Sequence, residues 1–291
     1  MKKNVLLPLL SVFIISALLT LGCSQSKEDT SQDSVQEETV VETTESPNNT
    51  ESEEPSVEIV VGERSPGFPG AKARFSSLKD GDVLNDSNVS VVVDVENYKL
   101  AIQTDTPRAQ EIANSGKGQH AHIILDNDPY FADYEAGTPF DIGILDEGPH
   151  TLIVFPSRSY HESVKAEGSI DIANFYVGKE EGEFLLDESK PTIIYSRPKG
   201  TYKGHDAQKI MLDFYLINAE LGDNYKAKYT IRKNEAGAEE YSITMGEWSP
   251  AFVTGLSSGE YIITLQLLDG DGNLVDGPFN DTERKITVVT E

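Results

Sequence analysis

One cysteine, Cys23, stands among the 291 residues, so no disulfide forms within the chain and no multi-cysteine zinc site is built. Positive charge is equally scarce: 24 Lys and Arg face 49 Asp and Glu, for a formal charge of −25. That balance argues against nucleic acid as a partner and against charge-driven adsorption to an anionic membrane, because both need a basic face. The recurrent catalytic patterns are missing too: no Gly-x-Ser-x-Gly, no His-Glu-x-x-His and no phosphate-binding loop. Acids are so abundant that no carboxylate pair for glycoside hydrolysis stands out. The reading is therefore of a non-enzyme. Helical periodicity is nearly absent as well, confined to a turn or two around Pro107–Ala113.

What is present begins with an address. Lys2 and Lys3 precede an apolar run from Val5 to Leu21 that stops at Gly22-Cys23. A basic start, an apolar stretch and a small residue before the cut make a secretory signal over residues 1–22. Leu19-Thr20-Leu21-Gly22-Cys23 resembles the lipobox of bacterial lipoproteins, with Thr20 where leucine is usual. The resemblance implies diacylglycerol on the Cys23 thiol and an acylated new terminus. Two or three acyl chains, at about 0.8 kcal/mol per buried methylene, hold a protein on a membrane where one is marginal. Ser24 after the cysteine is compatible with the outer membrane in a two-membrane envelope.

Residues 24–60 carry eleven acidic residues, one lysine and no aromatic. Such a segment buries too little apolar surface to offset its ordering entropy, so residues 23–62 read as a disordered tether. Beyond it, short runs of β-branched and aromatic residues alternate with Gly, Asp, Asn and Pro. Strands are expected at 89–95, 121–125, 150–155, 209–216, 225–231, 261–265 and 285–289. The pattern also repeats. Ser77–Gly81 aligns with Ser196–Gly200, Val91, Val93, Val95 and Asn97 with Leu212, Phe214, Leu216 and Asn218, and His120–Ile123 with Lys226–Tyr229; Gly148–Leu152 likewise aligns with Gly259–Ile263. Two copies of this kind predict an all-β chain: two tandem immunoglobulin-like antiparallel β-sandwiches, over 63–180 and 185–291, joined by the charged link 179–183.

The first copy differs from the second in three ways. It has an insertion, 101–119, and it holds four of the five histidines: His120, His122, His150 and His161. His120 and His122 lie two apart on an expected strand and so project from one face, a spacing used for copper or zinc. His150 starts a later strand, and His161 follows an aromatic in Ser-Tyr-His-Glu. The second copy has lysine at both His-x-His positions, so the fold itself does not demand imidazole there. The third difference is a loop mixing acids and aromatics, Asp126, Asp128, Tyr130, Phe131 and Tyr134, a composition suited to a sugar or peptide if its rings face outward. Asp269-Gly270-Asp271-Gly272-Asn273 lacks the later ligands of a calcium loop and reads as a hairpin turn.

Gly118-Gln119-His120-Ala121-His122-Ile123-Ile124-Leu125-Asp126, followed by Gly148-Pro149-His150-Thr151-Leu152 and Tyr160-His161, is similar to a secreted bacterial domain family of unknown function. That family carries a Gly-His-His-His-Leu-Leu-Ile-Asp strand. The resemblance implies an extracytoplasmic β-sandwich with clustered histidines, and no activity. The expectation is thus a lipid-anchored envelope protein with no required cofactor, acting as a binding or adhesion module toward a protein or glycan. The alternative is a copper- or zinc-binding lipoprotein using the His-x-His strand.

Overall fold

The computed structural model describes residues 56–291; the signal, Cys23 and most of the proposed tether lie outside them. Seventeen strands account for the fold. The first half contains β1 (Glu58–Val61), β2 (Lys72–Phe75), β3 (Val83–Leu84), β4 (Asn88–Glu96), β5 (His120–Leu125), β6 (Phe131–Asp133), β7 (Pro139–Ile144), β8 (Gly148–Ser157) and β9 (Asp171–Val177). The second contains β10 (Thr192–Arg197), β11 (Gly200–Lys203), β12 (Lys209–Ile217), β13 (Tyr225–Lys233), β14 (Glu240–Met245), β15 (Ala251–Thr254), β16 (Gly259–Asp269) and β17 (Asp281–Val289). Among the described residues, helix is limited to single turns at Pro107–Gln110 and His205–Gln208. No helix of the described residues is long and apolar enough to cross a membrane.

Four sheets result, and they obey the duplication. In the first copy β2-β4-β7 faces β3-β9-β8-β5-β6; in the second β1-β15-β12-β10 faces β11-β17-β16-β13-β14. Each five-stranded sheet is antiparallel except for one parallel edge pair, β3 with β9 and β11 with β17. The matched residues occupy matched environments. Val91 and Val93 fill the first core, and Leu212, Phe214 and Leu216 the second. Asn97 and Asn218 each end their strand in the left-handed region, at φ 52 and 48, and each donates a side-chain N–H to a carbonyl upstream, Gly70 and Glu188 respectively. A left-handed L-residue without such a polar side chain costs about 1–2 kcal/mol. Asn218→Ala is accordingly expected to lower stability by about 1 kcal/mol and Asn218→Gly to lower it less, as read by urea unfolding.

Two features depart from the sequence reading. Residues 58–61, placed in the tether, form β1, which pairs antiparallel with β15 from Glu58↔Thr254 to Val61↔Ala251. The acidic average of the segment hides its last apolar stretch, and Val57 and Ile59 pack on the second core. The described residues therefore begin in the second sandwich and cross to the first at 62–70. The second departure concerns the arrangement of the sandwiches, which are not beads on the link at 179–183. Alternate residues of β5 and β8 point to opposite sides: Ala121, Ile123, Leu152 and Val154 into the first core, Ile124, Ile153 and Phe155 outward. There they meet Ile194, Tyr215 and Phe279 of the second half, forming a third core between the copies. Strands buried on both faces read as continuous apolar runs, which is how 121–125 and 209–216 look.

Candidate metal centre

The seam between the sandwiches carries the histidines. His120 and His122 share the outward face of β5 with Ile124, opposite Ser157 and Phe155 of β8, and both are fully buried. At the equivalent place in the second copy, Lys226 and Lys228 remain partly exposed. His161 arrives from the loop between β8 and β9. Its φ of 69 is a left-handed conformation uncommon for histidine, secured by a hydrogen bond from its N–H to the Arg158 carbonyl.

The three rings converge. His120 Nε2 lies 3.0 Å from His122 Nε2 and 3.0 Å from His161 Nδ1. One nitrogen from each ring falls within 4.8 Å of the others. His120 Nδ1 faces the Gly118 carbonyl at 2.9 Å; a carbonyl only accepts, so the proton sits on Nδ1 and Nε2 presents its lone pair to the cluster. One lone pair accepts one well-aligned hydrogen bond, yet it faces two nitrogens at equal distance. A cation at the shared centre satisfies all three. Metal-bound histidines commonly donate their remaining N–H to a backbone carbonyl, as His120 does, and His122 Nδ1 is 3.3 Å from Ser196 Oγ of the second sandwich.

Gly118 is fixed by close approach: at φ 91, a Cβ there would stand 2.5 Å from the Ile102 carbonyl oxygen. It belongs to the insertion, which closes on itself through Ala101 N–H to Gln119 O and Gln119 N–H to Ile102 O. The insertion also ties to the histidine loop through Ser115 N–H to Ser159 O. The extra residues of the first copy thus buttress the backbone that holds His120.

Burial drives His120 down to about 4, against the opposing effect of its hydrogen bond to the Gly118 carbonyl, with the Arg197 and Lys199 charges adding to the depression. His122 and His161 are pushed well below the usual histidine range, chiefly by burial, with Arg197 and Lys199 acting in the same direction. All three are therefore neutral near pH 7, the state in which imidazole binds metals.

The remaining sequence candidates separate. His150 is elsewhere: Nδ1 meets Asp126 Oδ2 at 2.6 Å and Nε2 the Asp146 carbonyl at 2.9 Å, so both ring nitrogens are engaged. Asp126 also accepts the Thr151 N–H, and Asp128 is exposed. Of the loop aromatics, Phe131 points out beside Phe140, whereas Tyr130 is buried and Tyr134 lies over His120 with ring centroids 4.9 Å apart. The acid–aromatic loop therefore presents no single face. Asp269 accepts the N–H groups of Asp271 and Asn273, as a turn aspartate does. Ser196, Arg197 and Lys199, which sequence reading used only to align the copies, lie over the cluster. Their one sequence signal is the Ser-Arg-Pro-Lys-Gly bend at a repeat position where the first copy has Ser-Leu-Lys-Asp-Gly.

No family model matches the chain, nor does any curated protein. Among solved structures, the fibronectin(III)-like modules of CbhA from Clostridium thermocellum align at 13% identity over 75% of this chain and 94% of theirs, with a TM-score of 0.26. The FN1–FN3 domains of chicken CNTN1 align at 10% over 77% and 68%, with a TM-score of 0.24. A putative membrane anchored protein from Corynebacterium diphtheriae aligns at 15% over 75% and 53%, with a TM-score of 0.23. The assignment of two β-sandwiches rests on the strand pairings themselves.

Proposed function

We propose that this chain is a non-catalytic, transition-metal-binding module of the bacterial cell envelope, holding copper or zinc through His120, His122 and His161 and anchored to the membrane by lipid on Cys23. One observation carries the metal reading: three neutral imidazole nitrogens, two pairs of them 3.0 Å apart, meet at one point, and the single lone pair of His120 Nε2 cannot make well-aligned hydrogen bonds in both 3.0 Å contacts. Metal–nitrogen bonds of about 2.0–2.1 Å fit that convergence after shifts of a few tenths of an ångström. The envelope location is supported by the lipobox-like Leu19–Cys23 and by the acidic stretch after it.

The test is metal uptake by the purified full chain carrying Cys23→Ser, which removes its one thiol. The expected result is one copper or zinc per chain, with affinity falling at least about 100-fold in His161→Ala and in His120→Ala/His122→Ala, since loss of supporting partners alone costs 10–100-fold. His161 is only partly buried, so its variant guards against a loss caused by misfolding, with circular dichroism as the check. No uptake at micromolar copper or zinc overturns the reading.

A further inference from the structure

The shape of the histidine cluster and the charges around it bear on which metal it suits. His120 stands between the other two, 3.0 Å from His122 Nε2 and 3.0 Å from His161 Nδ1. The outer pair is wider: the His122 and His161 ring centroids are 6.0 Å apart, against 4.9 and 4.8 Å for the pairs that include His120. The outer rings are also the closest to parallel, with planes 29° apart.

Nitrogens about 2.1 Å from one ion stand ~3.0 Å apart at right angles and ~3.4 Å apart at the tetrahedral angle. The two edges at His120 match the right angle. The outer nitrogens, within 4.8 Å of each other, would close to about 4.2 Å when opposed across an ion. The three donors thus form a T with His120 as its stem. Zinc takes four donors in a tetrahedron, and copper(II) takes a tetragonal set. Copper(I), with a filled d shell and a single charge, accepts two or three donors, and a T is one of its arrangements.

The surroundings supply no fourth donor. Among the described residues no carboxylate or thiolate joins the three rings. Tyr130 lies flat on His122, with centroids 3.5 Å apart and planes 14° from parallel. Its hydroxyl therefore stands out of the plane in which His122 Nε2 offers its lone pair. The Tyr134 hydroxyl is engaged with Ser115 Oγ at 2.7 Å.

Charge points the same way. Lys199 Nζ lies 4.0 Å from the centroid of the Tyr130 ring, and the Arg197 guanidinium carbon 5.7 Å. Three neutral imidazoles do nothing to offset these cations. Their repulsion grows with the charge of the incoming ion, so a divalent ion meets about twice what a monovalent one does.

We infer that the site selects a monovalent, filled-shell ion, copper(I), over copper(II) and zinc. The inference rests on the three-histidine reading. Copper enters already reduced: three nitrogen lone pairs bind it, no electron is transferred and each imidazole keeps its one proton. What is given up is the hydrogen bond from Tyr130 Oη to His161 Nδ1.

The experiment uses the full chain with Cys23→Ser. It is titrated with copper(I) under nitrogen and ascorbate against a chromophoric copper(I) chelator, and separately with silver(I), zinc and, without ascorbate, copper(II). Wild type should take up one copper(I), with three nitrogen neighbours in X-ray absorption, and one silver(I). It should bind zinc roughly 100-fold more weakly, the size of one extra unit charge beside two cations. Lys199→Met removes a charge without touching a ligand, so it should tighten both metals and move log Kd for zinc about twice as far as for copper(I). Zinc or copper(II) bound as tightly as copper(I), or equal or reversed shifts in Lys199→Met, overturns the selectivity and leaves the three-histidine site standing. Failure to take up any of these ions overturns both.

Discussion

Replacing Asp213 by alanine is expected to lower the unfolding free energy by about 3–5 kcal/mol, the range for removing one partner of a buried ion pair. Asp213 lies on β12 between Leu212 and Phe214, which fill the second core, so its own side chain points to the seam. There its carboxylate takes Lys165 Nζ at 2.5 Å and the Ser163 N–H at 2.9 Å, both from the first sandwich. The Lys165 and Asp213 side chains are 4% and 0% exposed. Screening by water and salt is therefore small, unlike at the exposed Lys179–Glu147 pair. Truncation leaves an ammonium buried without its counter-charge. The check is urea unfolding of wild type, Asp213→Ala and the double variant Lys165→Met/Asp213→Leu. Because the penalty comes from the orphaned charge, the double variant should recover most of the loss. A loss below 1 kcal/mol in Asp213→Ala would show that the pair does not hold the seam. Since a shared core joins the copies, a single transition is expected, not one per sandwich.

The same seam explains what could be read from the sequence. The strands were legible because period-two alternation and turn residues act locally: Gly148 and Gly259, aligned by sequence, both take positive φ at 136 and 156. The duplication was legible because both copies solve one packing problem, down to the left-handed asparagines. His120 and His122 on one face followed from strand geometry alone. His161 was named as a candidate, but its approach depends on a loop between β8 and β9 whose course no local rule sets. His150 lies apart from the other three, since Asp126, from the turn after β5, engages it across the strand pair. Arg197 and Lys199 were hidden for a deeper reason. They reach the cluster only because one sandwich docks on the other, and docking depends on surfaces that each copy presents separately. The hint was there in the residues 123–125, Ile-Ile-Leu, too apolar for a strand with one face in water.

The metal-free protein is expected to lose stability steeply as pH falls from about 6.5 to about 4. His120 sits near 4 when folded and near 6.5 when unfolded. Between those values the unfolded chain holds a proton that the folded one does not, so unfolding free energy rises with pH. Stability is complete above the unfolded value and drains as pH falls toward the folded one. At 1.36 kcal/mol per pH unit of difference, His120 alone accounts for about 3 kcal/mol. His122 and His161 are depressed further and act in the same direction. The groups facing the rings reinforce this: Arg197 at the end of β10 and Lys199 in the bend after it are cationic, Tyr130, raised by burial, is neutral, and no carboxylate among the described residues joins the cluster to compensate a proton. Two acids bracket the effect. Glu162, whose burial penalty is outweighed by Lys165, Arg158 and the Ser65 hydrogen bonds, is held below the usual range and loses its contribution only at lower pH. Asp133 is raised by burial and works the opposite way, gaining as pH falls. Urea midpoints measured with chelator from pH 7.5 to 4.5 decide the matter, with His120→Gln/His122→Gln/His161→Gln as comparison. Wild type should fall by at least about 3 kcal/mol across the range, and the triple variant should be much flatter even if less stable at pH 7. Equal slopes would mean that water or a rearranged loop solvates the histidines, and a site so solvated would not hold three neutral ligands at one point.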